Sequence, residues 1–238
     1  MFSSFFKRKS PWDELFTQHG ASSYFKQMVL AGMVENYDWL FDMENGTLSF
    51  LDDRQQEIHR FEVQIIGTHS YRDHTWLWSW ANEKSNIPER LLEAARALKA
   101  YGIQNGVQEL TTPRFLINNE LSEWHLALTA SGLTEANGFY LGKQEHNTVV
   151  FLVEKHNYSI REEEDKQDLY ASAYFDYFWK FTESFKVNDH YAAMKQYLAF
   201  TEFEYEERSG DIIVHLSEPY LKVSFHKNKT LKDIEYSS

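Results

Sequence analysis

The side chains best suited to chemistry crowd between residues 59 and 80. Trp76, Trp78 and Trp80 alternate with Leu77 and Ser79. On a β-strand alternate residues share a face, so the three indoles would line one side and Leu77 and Ser79 the other. Such a row can floor a pocket for a ring or a sugar, or lie as core beneath the helix that starts near Pro88, which is the expectation here. Just upstream, His69 and His74 flank a turn that carries Asp73, with His59 ten residues before His69. Imidazoles and a carboxylate hold metals and move protons. No second pair at metal-site spacing accompanies them, so neither a metal nor a cofactor is expected. A small-ligand or enzymatic alternative would use the face of Trp76, Trp78 and Trp80 with His69, Asp73 and His74.

Carboxylates form two further groups. Glu162, Glu163 and Glu164 make an acidic run with Asp165. Glu202, Glu204 and Glu206 alternate with Phe203 and Tyr205, which places the three carboxylates on one face of an expected strand. Both groups offer negative charge to a basic protein partner, and the plainer account of the strand is a solvated sheet face. Glu120, Glu123 and His125 open an expected helix, but Glu123 and His125 are two apart and must point to different faces. Phosphate loops, dinucleotide glycine motifs, nucleophile elbows and zincin helices are missing from the sequence, so no catalytic residue is assigned.

The chain of 238 residues carries a net charge of −12 with a pI near 5.3, which repels phosphate backbones and disfavours nucleic acid. It has no cysteine, so disulfides, thiolate metal sites and a cysteine nucleophile are excluded, and a reducing cytoplasm is the expected location. No stretch is long and apolar enough to span a bilayer. At the start, Phe2, Phe5 and Phe6 precede Lys7, Arg8 and Lys9, the reverse of a secretory signal. With 16% aromatic residues the chain can bury a real core.

The elements that must position these groups follow from periodicity. Ser10, Pro11 and Asp13 start a helix that Gly20 should stop, and a second helix is expected over Ser22 to Val34. Residues 37–81 read as four antiparallel strands, the first pair joined at Asn45-Gly46. Asn86 should cap a helix with Pro88 and Glu89 in its first turn, and another helix should run through Leu121 to Gly132. Phe139 to Leu141 and Thr148 to Val153 form a hairpin. Beyond the polar stretch lies a helix through Leu169 to Phe185, then one capped at Asn188. Four strands follow, the first two turning at Ser209-Gly210. The fold class expected is α+β, antiparallel sheets packed on helices. Its parts would be an α+β domain over 1–154, an acidic linker over 155–165 and a smaller helix-helix-sheet domain over 166–238.

Ile66-Gly67-Thr68-His69-Ser70, Thr75 to Asn82 with its three tryptophans, Leu91 to Gly102 and Glu109-Leu110-Thr111-Thr112-Pro113 together resemble a family of bacterial domains of unknown function. The resemblance covers roughly residues 20–153, with the tryptophan strand as its most specific part. It implies a bacterial origin and a compact α+β domain, and it supplies no catalytic residues. The sequence therefore leads to a non-enzymatic intracellular protein-binding module, such as an immunity protein that masks a basic toxin.

Overall fold

The computed structural model describes residues 10–154, 167–216 and 220–236. The acidic run at Glu162, Glu163 and Glu164, and with it the expected linker, lies outside the described residues.

Helix α1 (Pro11–Val34) starts where the sequence places it. Ser10 Oγ accepts from the Asp13 amide at 3.0 Å and Asp13 answers to the Ser10 amide at 3.3 Å, a reciprocal cap that uses two otherwise unpaired donors. The expected stop at Gly20 is overturned. The helix runs through it, and a β-carbon there would stand 2.6 Å from Cζ of Phe181 on helix α5 (Gln167–Ser184). Gly20 is thus a point of close helix approach, and packing overrides its weak helix preference.

Strands β1 (Asp38–Asp42), β2 (Thr47–Leu51), β3 (Glu57–Ser70) and β4 (Thr75–Trp78) are antiparallel neighbours, as expected for residues 37–81. Gly46 takes a positive φ of 71° in the first turn, which an L side chain resists. The expected helix at Asn86 is displaced. Asn86 adopts a left-handed conformation, Glu89–Leu91 form a 3-10 turn, and helix α2 (Glu93–Asn105) follows. After α3 (Gln108–Thr111), strand β5 (Arg114–Leu116) pairs with β4. Helix α4 (Glu123–Leu133) leads to the hairpin of β6 (Gly138–Lys143) and β7 (Asn147–Val153), whose second strand pairs with β3.

β3 organises this seven-stranded sheet. Its first part pairs with β2, and farther along it pairs with β7 and β4. A bulge between Ile65 and Gly67 changes the alternation, so Ile65 and Ile66 are both buried, in different hydrophobic clusters. Leu48, Phe50, Phe61, Val63 and Phe151 fill one cluster with Leu30 and Val34 of α1. The larger cluster joins Trp76, Trp78 and Phe139 to the helices.

That larger cluster continues into the C-terminal part. Helix α6 (His190–Thr201) and strands β8 (Tyr205–Arg208), β9 (Asp211–Val214), β10 (Leu221–Phe225) and β11 (Leu231–Tyr236) form the second sheet and its cover. Asp189, not Asn188, caps α6 by accepting from the Ala192 amide at 2.9 Å. Phe175, Phe178, Tyr197, Ile212, Val214 and Val223 belong to the same hydrophobic body as Phe16 and Phe25 of α1. The molecule is α+β with antiparallel sheets against helices. No helix among the described residues is long and apolar enough to cross a membrane.

Candidate protein-docking surface

Trp76 and Trp78 do not open to solvent. They are fully buried and meet edge to face, with ring centroids 5.2 Å apart. Trp78 Nε1 donates to the carbonyl of Glu109 at 2.9 Å. The expectation that all three indoles share a strand face is corrected at Trp80. The strand ends at Trp78, and Ser79–Ala81 form a 3-10 turn closed by the Asn82 amide on the Ser79 carbonyl at 3.0 Å. Ser79 Oγ also donates to the Ile65 carbonyl, which draws the chain off the ladder. Trp80 ends half-buried, with Lys99 Nζ 3.9 Å from its ring centroid.

His69, Asp73 and His74 do not converge. His69 is partly buried, and its Nδ1 lies 3.2 Å from Oε2 of Glu123 at the start of α4. Asp73 is exposed, accepts from Thr75 Oγ1 at 2.8 Å and pairs with Arg114. Hydrogen bonds from Ser70 and Thr75, with Arg114 nearby, hold its carboxyl below the usual range. His74 is exposed in a left-handed turn conformation, its ring 6.5 Å from that of His69. His59 packs elsewhere, against Tyr37 and Phe61. Among the described residues no group of three or more His, Asp or Glu is placed to hold a metal.

Glu123 and His125 do diverge, as their spacing requires. His125 is buried between Phe16 and Phe185, and its Nδ1 accepts from the Ser122 amide at 3.2 Å, replacing the usual acidic residue of the cap. Burial lowers its pKa to about 4.

The expected acidic strand is shorter than its sequence pattern. Glu202 is the left-handed residue that ends α6, with a φ of 61°, so it is not on the strand. Glu204 is exposed, and Glu206 on β8 pairs with Arg208 at 2.6 Å. Glu207, on the other face, binds Lys195 at 2.6 Å and the Tyr191 hydroxyl.

A denser acidic surface lies on β1, β2 and β3. Between Asp38 and Glu62 the chain holds seven carboxylates (Asp38, Asp42, Glu44, Asp52, Asp53, Glu57 and Glu62) against two arginines, Arg54 and Arg60. The register sets Asp38, Leu40 and Asp42 on one face, with Ser49 and Leu51 of β2 and Arg60 and Glu62 of β3 beside them. Trp39 and Phe41 point to the opposite face, where Trp39 meets Tyr140 and both rings meet Phe151. Leu40, on the edge strand of this face, is left 59% exposed between Asp38 and Asp42. Asn45 donates to Asp42 from its side chain at 2.7 Å and from its amide at 2.9 Å, which holds the carboxyl below its usual pKa. Arg60 and Glu57 form a pair at 2.7 Å, and Arg90 reaches across to the carbonyls of Met43 and Glu44, bracing the turn. Sequence reasoning missed this face. The charge tally over residues 38–62 was the available signal, hidden because the carboxylates are scattered in sequence and gathered only by strand register.

A family described as of unknown function (DUF6882) matches residues 13–156, which include α1 from Asp13 on, the whole seven-stranded sheet and the acidic face. No curated protein and no solved structure matches the chain. The match spans well over half of the sequence, and the chain belongs to this family of unknown function, DUF6882.

Proposed function

We propose that the chain is a non-enzymatic, intracellular bacterial protein-binding module that captures a basic protein, in the manner of an immunity protein neutralising a toxin. The observation that supports this best is the β1–β3 face, where Leu40 stands exposed between Asp38 and Asp42 on a strongly acidic sheet. Such a face speeds encounter with a positive surface, and the exposed leucine adds short-range contact once the charges meet. Glu204 and Glu206 are a weaker second patch because Arg208 offsets part of their charge. Glu162, Glu163 and Glu164 remain part of the same reading as an additional source of negative charge.

Affinity capture from the native cell, washed at low and raised salt, tests this reading. A basic partner released by salt is expected, and co-expression of the chain should relieve that partner's toxicity. Recovery of only acidic or salt-insensitive partners, with no relief of toxicity, contradicts it.

A second reading rests on the partly buried His69–Glu123 pair, polar groups able to orient a small polar ligand. Here His69 would act with Glu123 and not with Asp73, His74 or the buried indoles. Ligand-induced melting shifts that vanish in His69→Ala would support it, and a flat screen in the parent protein would remove it.

A further inference from the structure

We propose that β1 is the docking edge for an extended basic segment of the partner, which adds to the sheet as a strand. This rests on the reading of the chain as a binder of basic proteins and names how that binding is made. Within the described residues, β1 pairs with β2 on one side and with no strand on the other. An edge of this kind presents main-chain donors and acceptors to any extended chain laid beside it. A strand placed there has alternate side chains on the face of Asp38, Leu40 and Asp42, at the ordinary spacing of neighbouring strands. The matching sequence is basic, any, apolar, any, basic.

Charge decides against a second copy of this chain as the occupant. Antiparallel pairing of two β1 strands about Leu40 would set Asp38 of each against Asp42 of the other, and like charges directly opposite destabilise a sheet pair. The same two carboxylates attract lysine or arginine at those positions. In that register they oppose self-pairing and favour a basic strand.

The test uses the full chain and three synthetic peptides of equal length. One repeats Lys-Thr-Val-Thr, so that lysine and valine alternate along one face, one repeats Glu-Thr-Val-Thr, and one is the lysine peptide with proline at its centre. Binding is followed by NMR titration, and amide hydrogen exchange is measured over residues 38–42. The lysine peptide should bind and slow exchange of the β1 amides that face away from β2. Proline should abolish that protection, and Asp38→Asn with Asp42→Asn should weaken binding about tenfold. The glutamate peptide should not bind. If the lysine and proline peptides bind equally with β1 exchange unchanged, strand addition is overturned while capture of basic partners stands. If no basic peptide binds, both readings fall. Exchange of β1 that slows with protein concentration alone identifies a second copy and also overturns the proposal.

Discussion

Phe25 of α1 and Tyr174 of α5 stack ring on ring, with centroids 4.5 Å apart and planes 16° from parallel. The contact joins the family-matched region to the C-terminal part, and Tyr177, Tyr197 and Phe200 close around Phe25 edge-on. Phe25→Ala should therefore cost about 3–5 kcal/mol in urea unfolding, the range for an aromatic ring removed from a packed core. Because α1 supplies this face, a fragment of residues 166–238 should be unfolded by circular dichroism. A fragment that melts cooperatively would show that the C-terminal part folds alone.

Gly20→Ala sets two effects against each other. Alanine improves helix propensity by about 1 kcal/mol in a helix interior. The new β-carbon, however, meets the buried ring of Phe181 at 2.6 Å, and overpacking of this kind costs about 1–3 kcal/mol. The net expected result is a lower melting temperature. A rise would mean that α1 and α5 can separate without loss.

Gly67→Ala should be more damaging. The ring of Trp76 covers the position a β-carbon would take on Gly67, with Cε2 2.6 Å away, and Trp76 is itself fully buried. Destabilisation of at least about 1–3 kcal/mol is expected. A changed tryptophan emission in the folded state would report the displaced indole.

These glycines show what the sequence conceals. Turn chemistry at Asn45-Gly46 and Ser209-Gly210 is local, and both turns lie where the residues place them, Ser209 and Gly210 each with positive φ. Gly20 reads as a helix stop by the same local logic, yet it meets Phe181, far away in the chain. The strand periods of β3, β6 and β7 are visible, but the bulge at Ile66 is legible only as an apolar residue at a polar step. For the sites, alternation correctly groups Trp76 with Trp78 and fails at Trp80, where Ser79 bonds to Ile65 and turns the chain. The pairing of His69 with Glu123 crosses from strand to helix and has no signature in residue spacing.

Stability should fall with acid through His125. Its folded pKa of about 4 lies below the ordinary 6.5, so the unfolded chain binds more protons between those values. The contribution is fully present above pH 6.5 and is lost as pH drops towards 4, an effect on the order of 3 kcal/mol. Denaturant midpoints measured from pH 7.5 to 4.5 should show this slope, reduced in His125→Gln. It should not vanish, because burial also lowers the pKa of His19 and His190.

Two acidic surfaces could meet the partner, the β1–β3 face and the patch of Glu204 and Glu206. The most direct measurement is the dissociation constant of the captured basic partner, at two salt concentrations, for two neutralised variants of the full chain. One carries Asp38→Asn, Asp42→Asn and Glu62→Gln, and the other carries Glu204→Gln and Glu206→Gln. The sheet-face variant should bind about tenfold or more weakly and lose most of its salt dependence, while the other stays near the parent. Equal affinity for the parent and the sheet-face variant at both salt concentrations would contradict the account.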